Sequence, residues 1–164
     1  MEDRAQRLKE VARISVALEA QTGCPAALLI AQWALESKWG AKPAGHANYF
    51  GIKAAARHEM CCIETTREVI NGKSVVQELQ FADYESLEAA CHDYAWLITH
   101  GAPYHAAWGR YQGDKDLHAL IAAVAGTYAT DPNYAHLAAA IASQTNIAQA
   151  IAAARPEATT NAAA

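Results

Sequence analysis

Two β-prone runs joined by Asn71-Gly72 interrupt a chain whose other segments follow the helical period. An Asn-Gly pair between such runs is the strongest short-range signal of a β-hairpin, which predicts strands at 61–70 and 74–81. In the other segments apolar residues recur every three or four positions, as in helices that bury one face. The predicted helices cover residues 3–21, 26–39, 86–100, 104–111, 116–126 and 132–153. Helices with a single hairpin predict an α+β domain.

The length and charge of the chain exclude several classes of protein. Its 164 residues fit one domain, which we expect to span 1–154, followed by a flexible tail in the polar, alanine-rich residues 155–164. With 52% hydrophobic and 18% charged residues, the chain is too apolar to be disordered. A net charge of −4 disfavours nucleic-acid binding, and no apolar run is long enough to span a bilayer. We therefore expect neither nucleic acid as a partner nor membrane insertion.

Cysteine and histidine give no sign of a metal centre. Cys24, Cys61, Cys62 and Cys91 form no C-x-x-C pair, and the seven histidines are scattered. We therefore expect no metal and no cofactor. The sequence leaves open whether the cysteines are free thiols or whether two of them form a disulfide, which would indicate an oxidising compartment.

Glu36 follows ten nearly unbroken apolar positions, 26–35, interrupted only by Gln32. On a helix, Trp33 and Trp39 lie three positions before and after it, and it falls in the last turn, where the helix dipole disfavours negative charge. The apolar neighbourhood and the negative end of the helix dipole both raise the pKa of a carboxyl group. A carboxylic acid that stays protonated near neutral pH is what a glycosidase uses as its general acid, although an exposed glutamate at a helix end would show the same spacing.

The hairpin carries two further candidate carboxylates. With a two-residue turn, Glu68 pairs with Val75 and Glu64 with Leu79, so both glutamates share the more apolar face. That placement indicates a face that lines a cleft, while two solvated glutamates are the alternative. One carboxyl on a buried helix and another on a neighbouring hairpin would form the two-carboxylate pair of a glycosidase.

Four sequence blocks, in order, resemble those of the glycoside hydrolase family 73 N-acetylglucosaminidases, which cleave bacterial peptidoglycan. The first is the helix end A-Q-W-A-L-E-S-K-W-G at 31–40, and the second is the loop N-Y-F-G-I-K at 48–53. The third is T-T-R-E at 65–68, ahead of Asn71-Gly72, and the fourth is Y-A-T-D-P-N-Y-A at 128–135. The resemblance spans 19–147 and implies a lysozyme-like fold, mainly helical, with the hairpin as a lobe beside the cleft.

The resemblance also implies roles for individual residues. Glu36 takes the position of the general acid, and Glu68 takes that of the second carboxylate, which activates water or stabilises the transition state. The implied substrate-binding residues are Trp39, Asn48, Phe50, Glu64, Tyr128 and Tyr134. Of these, Asn48 and Phe50 would shape the floor of the cleft near Glu36.

The activity implied by the resemblance is hydrolysis of the β-1,4 bond on the reducing side of N-acetylglucosamine in the peptidoglycan glycan strand. A muramidase or a lytic transglycosylase is the nearest alternative, because such enzymes also place a catalytic glutamate at a helix end. A non-catalytic peptidoglycan-binding module is the alternative from a different class.

The site of action follows from this substrate, which lies outside the cytoplasmic membrane. Residues 1–9 are charged and lack the apolar stretch of a signal peptide, so we expect synthesis in the bacterial cytoplasm and action in the periplasm or cell wall of a target cell after export. The favoured interpretation is a bacteriolytic effector toxin of a type VI secretion system, with a cognate immunity protein that blocks the cleft. A phage lysin and a domain cut from a larger protein are the alternatives.

Overall fold

Helices with one two-stranded antiparallel sheet make up the described chain, which confirms the predicted α+β class. The computed structural model describes residues 3–70, 73–129 and 131–156, with backbone only at 67–70 and 73–74, so most of the predicted tail lies outside the described residues. The helices are α1 (Arg4–Thr22), α2 (Ala26–Glu36), α3 (Leu87–His100), α4 (His105–Asp114), α5 (Leu117–Tyr128), α6 (Tyr134–Ala142) and α7 (Thr145–Ala154), and the strands are β1 (Cys61–Ile70) and β2 (Lys73–Ala82). A 3-10 turn, Ala102–Tyr104, joins α3 to α4.

The hairpin has the register that the sequence predicts. Ile70 pairs with Lys73 and Glu64 with Leu79, as a connection of two residues requires. The connection itself, Asn71-Gly72, lies outside the described residues. Because residues opposite each other project on the same side of a sheet, the register also fixes which side chains share a face.

The two faces of the hairpin differ in exposure. Ile63 and Val76, on one face, are 63% and 59% exposed. Glu64, Thr66 and Leu79, on the other face, are partly buried. Among the described side chains, the face that carries Glu64 is therefore the less exposed one, although Val75 on it is 37% exposed.

α2 runs through the core, as its almost wholly apolar sequence predicts. Leu28, Leu29, Ile30 and Trp33 are at most 1% exposed, and the helix packs against α1, α3, α6 and α7. Burying one side chain of this kind contributes about 1.5–3 kcal/mol to folding. A group at the end of α2 is therefore held by the best-packed element of the protein.

The helix predicted at 26–39 ends three residues earlier, at Glu36. Ser37 is the cause, because its hydroxyl donates to the Trp33 carbonyl (2.5 Å) and accepts from the Gly40 N–H (2.9 Å) in place of another helical step. Gly40 has a φ of +74°, and a Cβ there would come within 2.6 Å of a Trp33 ring atom. Glu36 therefore occupies the last position of α2.

The helix predicted at 132–153 is two helices. α6 ends where the Ser143 hydroxyl donates to the Ala139 carbonyl (2.8 Å), and Gln144 is extended, with a ψ of 139°, before α7 begins. A serine that bonds back to the carbonyl four residues earlier bends a helix. The break allows α6 to pack on α2 and α5 while α7 packs on α1.

The four cysteines are free thiols. Cys24 and Cys91 are buried, and burial together with the charge of Glu19 raises the pKa of the Cys24 thiol to about 12. Within the described ranges, no group of three histidine, cysteine, aspartate or glutamate side chains is arranged to hold a metal ion. No described helix is both long and apolar enough to cross a membrane.

Candidate active site

Glu36 lies half-buried at the C-terminal end of α2. Burial raises the pKa of its carboxyl group, and a hydrogen bond from the Tyr134 hydroxyl to Oε1 offsets only part of that effect. The negative pole of the helix acts in the same direction as burial. Because its pKa is raised, the carboxyl of Glu36 stays protonated at a pH closer to neutral, and a general acid must be protonated to act.

Two tyrosines from the ends of α5 and α6 lie beside Glu36. Tyr134, the first residue of α6, donates to the Glu36 carboxyl, and Tyr128, the last residue of α5, donates to the Phe50 carbonyl at 2.5 Å. Their rings stack with centroids 6.5 Å apart. Burial raises the pKa of both hydroxyls, so both remain protonated donors at neutral pH. The structure thus brings both predicted tyrosines to the predicted acid.

The loop 48–52, which we call the floor loop, lies beside Glu36 at Gly51. Asn48 is 1% exposed, and its Nδ2 donates to the carbonyls of Ile52 (2.9 Å) and Ala82 (2.8 Å). Its Oδ1 accepts from the backbone N–H groups of Phe50 (3.2 Å) and Ile52 (3.1 Å). Phe50 is fully buried and stacks on an aromatic ring of α3, 4.5 Å between centroids. Asn48 and Phe50 therefore support this loop from beneath with side chains that are covered by the protein, and their predicted role at the substrate stays a prediction.

Gly51 allows the loop 48–52 to pack closely against Glu36. Its φ is +63°, and a Cβ at this position would lie 3.2 Å from Glu36 Oε2. Only glycine adopts the left-handed conformation without strain. The two carboxyl oxygens of Glu36 therefore differ, because Oε1 accepts from Tyr134 while Oε2 faces bare backbone.

Replacing Gly51 with alanine is expected to reduce both stability and activity. The left-handed backbone costs an alanine about 1–2 kcal/mol, and the added methyl group crowds Oε2. Urea unfolding and the initial rate of glycan cleavage measure the two effects. The matched control is Gly109→Ala in α4, where a Cβ would meet nothing within 4 Å. An alanine there should leave activity unchanged and stabilise the helix by about 0.5–1 kcal/mol.

The two hairpin glutamates occupy different positions. Glu64, near the base of the hairpin, accepts a hydrogen bond from the Gly45 N–H at 2.9 Å, which ties β1 to the segment before the floor loop. Glu68 lies four residues closer to the turn, on the same face, and pairs with Val75. The Glu68 side chain lies outside what the structure describes, so its role stays a prediction.

Trp39 packs toward α1. The Arg4 guanidinium lies 3.5 Å from the centroid of its ring, and Trp33 meets the ring edge-on at 6.2 Å. The Arg7 Nε donates to its carbonyl at 2.9 Å. The ring face beneath Arg4 is closed to a sugar, and these contacts anchor α1 to the end of α2.

Grooves flank Tyr128. One of about 380 Å³ is lined by Gly51, Lys53, Tyr104 and Tyr128, and a neighbouring groove of about 550 Å³ shares Lys53 and Tyr128 and reaches Asp131. Gly51 lines the first groove, and a Cβ on Gly51 would lie 3.2 Å from Glu36 Oε2, so this groove begins next to Glu36. A larger groove, about 730 Å³, follows α3 and the base of the hairpin instead.

Sequence reasoning did not assign two further residues to the site. Gln32 Nε2 donates to the Tyr134 hydroxyl at 3.1 Å, and the Tyr94 hydroxyl donates to Gln32 Oε1. The sequence could have indicated Gln32, because it is the single polar residue in the apolar run of α2 and lies one helical turn before Glu36. Tyr94 gives no comparable signal, because its spacing is that of any core residue of α3.

Known proteins match most of this chain in sequence. Residues 12–147 match the glucosaminidase family, described as mannosyl-glycoprotein endo-beta-N-acetylglucosaminidase. The chain is 38% identical over 122 residues to the peptidoglycan hydrolase FlgJ of Salmonella typhimurium, covering 70% of this chain and 38% of FlgJ. It is 34% identical over 128 residues to a probable N-acetylmuramidase of Lactococcus lactis, covering 73% of this chain and 28% of that protein. The chain thus spans well under half the length of these relatives.

Solved structures share the fold as well. The catalytic domain of the autolysin Auto from Listeria monocytogenes has a TM-score of 0.75 at 25% identity, covering 92% of this chain and 89% of that one. A glycoside hydrolase domain of S. typhimurium FlgJ has a TM-score of 0.64 at 28% identity, covering 85% of this chain and 95% of that one. The lysozyme-like fold is therefore confirmed. With four-fifths of its residues inside the family match, the chain belongs to the glucosaminidase family of glycoside hydrolases.

Proposed function

We propose that this chain hydrolyses the β-1,4 bond on the reducing side of N-acetylglucosamine in bacterial peptidoglycan, with Glu36 as the general acid. The observation that carries the proposal is the Glu36 carboxyl at the end of a buried helix, with Oε1 bonded to Tyr134 and Oε2 beside Gly51. Membership of the glucosaminidase family supports the reaction. The name of the FlgJ relative, a peptidoglycan hydrolase, supports the substrate.

In the proposed reaction, Glu36 donates its proton to the glycosidic oxygen while the bond to C1 breaks. The leaving sugar keeps that proton, and C1 passes through an oxocarbenium-like transition state before water adds to it. Glu68 either takes a proton from this water or stabilises the positive charge at C1. Alternatively, the carbonyl oxygen of the substrate's own N-acetyl group stabilises the positive charge at C1.

Product analysis tests the proposed bond specificity. Purified peptidoglycan is digested with the wild-type chain and with Glu36→Gln, the fragments are reduced with borohydride, and the new ends are identified by mass spectrometry. Reduced N-acetylglucosamine ends, absent with the variant, are the expected result. Reduced muramic acid ends would identify a muramidase, and anhydromuramic ends a transglycosylase. No new ends from a folded wild type would favour a binding module.

Replacing Glu68 with glutamine is expected to lower the cleavage rate by about 10²–10⁴-fold if Glu68 is the base, because glutamine cannot accept a proton from water. A smaller loss is expected if the substrate's N-acetyl group assists. The initial rate of reducing-end release on peptidoglycan measures the effect. A wild-type rate would contradict the second-carboxylate role and favour a transglycosylase, which needs no second carboxylate.

Glu64→Gln is the matched control for this experiment, because Glu64 lies on the same face of the same strand. Its carboxylate accepts from the Gly45 N–H, and a glutamine carbonyl can accept the same bond with less strength. We therefore expect a small loss of stability and, because Glu64 is predicted only to bind substrate, a rate loss well below that of Glu68→Gln. A rate loss with Glu64→Gln alone would move the second-carboxylate role from Glu68 to Glu64.

Delivery as a type VI effector, and an immunity protein that blocks the cleft, stay predictions from the sequence. A small secreted protein encoded next to this chain should then stop glycan cleavage when it is added at equal concentration. A neighbouring holin gene would favour the phage lysin instead.

A further inference from the structure

A row of three hydrogen bonds leads from the core of α3 to the carboxyl of Glu36. The Tyr94 hydroxyl donates to Gln32 Oε1, Gln32 Nε2 donates to the Tyr134 hydroxyl at 3.1 Å, and the Tyr134 hydroxyl donates to Glu36 Oε1. Tyr94 is fully buried and Gln32 is 1% exposed. Gln32 and Glu36 lie one turn apart on α2, so the row spans one helical turn of rigid backbone.

The chemistry of the donors gives this row a direction. An amide nitrogen can only donate and an amide oxygen can only accept, whereas a tyrosine hydroxyl has a single proton to give. Because Tyr94 donates to the oxygen of Gln32, the nitrogen of Gln32 is turned to Tyr134. The Tyr134 oxygen therefore accepts from Gln32, and its proton is directed to Glu36 Oε1.

We propose that Gln32 is a positioning residue that keeps the catalytic proton of Glu36 on Oε2, an inference that rests on the proposed function for its consequence in catalysis. Oε1 is occupied as an acceptor, so a proton on Glu36 binds to the other oxygen. Oε2 is the oxygen beside Gly51, which also lines the groove next to Tyr128. Gln32 therefore presents the acidic proton on the side that a glycan strand can reach.

Few ionisable groups of the described chain face Glu36. Tyr134 approaches it from α6, Tyr128 from α5 and Tyr94 lies behind them on α3, and burial raises the pKa of all three hydroxyls. On the hairpin, the carboxylate of Glu64 is bonded to the Gly45 N–H and is not among the groups that shift the pKa of Glu36. The Glu68 side chain is not described, so the 13C titration, which needs no activity, is repeated in a Glu68→Gln background to remove the titration of Glu68.

Gln32→Met tests the proposal, because methionine has a similar length and cannot donate. Without the bond from Gln32, the Tyr134 hydroxyl is a weaker donor to the carboxylate and is free to accept from a proton on Oε1. Both changes favour the protonated form of Glu36. We expect the alkaline limb of the pH profile of kcat/KM to move to higher pH by about half a unit. We also expect the maximal rate on purified peptidoglycan to fall on the order of tenfold, because the proton is no longer held on the reactive side.

A control and a second variant separate this role from a merely structural one. Thr99→Val removes another buried hydrogen bond, from Thr99 Oγ1 to the Ala95 carbonyl, and should lower the Tm without moving the pH limb. Tyr94→Phe leaves the Gln32 amide free to turn over and should shift the limb in the same direction as Gln32→Met, by less. Tyr94→Phe therefore carries the test if Gln32→Met does not fold.

The carboxyl 13C shift of Glu36, assigned by comparison with Glu36→Gln and followed between about pH 3 and pH 9, gives a readout that needs no activity. A higher Glu36 pKa in Gln32→Met than in the wild type is the expected result. An unchanged pKa in both Gln32→Met and Tyr94→Phe would overturn the proposal. If the wild type cleaves no peptidoglycan, the proposed function fails, and the 13C titration still decides whether Gln32 controls the carboxyl.

Discussion

Replacing Glu36 with glutamine is expected to lower the rate of peptidoglycan cleavage by about 10²–10⁴-fold, the contribution of a positioned general acid. Glutamine keeps the shape of the side chain, and its carbonyl oxygen still accepts the hydrogen bond from Tyr134. The variant has no acidic proton to give to the glycosidic oxygen. The initial rate of reducing-end release, measured at equal concentrations of folded protein, gives the size of the effect.

Glu85→Gln is the matched control, because Glu85 is an exposed glutamate ahead of α3. The exchange removes the same charge from the protein and leaves the site untouched, so we expect a rate close to that of the wild type. Substantial activity in a folded Glu36→Gln variant would show that the general acid is another residue.

Stability gives a second, independent readout of the same substitution. Burial raises the folded-state pKa of Glu36 above its unfolded value. Its contribution to stability is therefore complete below about pH 4 and is lost as the pH rises through the raised pKa. Glutamine does not titrate, so the Glu36→Gln variant does not lose stability in this pH range. The Tm of Glu36→Gln should exceed that of the wild type at about pH 8, and the difference should shrink toward pH 4. Equal Tm values at pH 8 would contradict a desolvated carboxyl.

The parts of the fold that the sequence predicts correctly depend on local physics. Asn71-Gly72 between two β-prone runs fixes both the existence of the hairpin and its register, because a two-residue connection allows a single pairing. The apolar sequence of α2 predicts a helix buried on all sides, and Glu36 stands out because a carboxyl at the end of such a helix conflicts with its surroundings.

The parts that the sequence does not predict depend on single side chains and on distant contacts. Ser37 and Ser143 end helices through back-bonds to carbonyls, which a periodicity of apolar residues does not register. The partner of Glu36, Tyr134, lies 98 positions away along the chain. Its direction of donation depends on Gln32, whose own orientation depends on the packing of α3. No local pattern reports such a chain of contacts.

Replacing Asn48 with alanine is expected to destabilise the protein by about 3 kcal/mol, the largest loss that we expect from a polar residue of the described site. Its buried amide makes four hydrogen bonds that join the floor loop to itself and to the end of β2. Alanine leaves two carbonyls and two N–H groups without these partners. Urea unfolding measures the loss, and Asn146→Ala, at an exposed position of α7, should stay within about 0.5 kcal/mol of the wild type.

Asn48→Asp is a second variant for this test, because it keeps the shape of the side chain and replaces the donating amide nitrogen with an accepting carboxylate oxygen. A carboxylate oxygen then faces the carbonyls of Ile52 and Ala82, which the amide nitrogen contacts at 2.9 and 2.8 Å. A buried carboxylate opposite two carbonyls has a raised pKa, so this variant should lose further stability as the pH rises from about 5 to 8. The same stability for Asn48→Ala and Asn146→Ala would show that the four hydrogen bonds of Asn48 do not stabilise the fold.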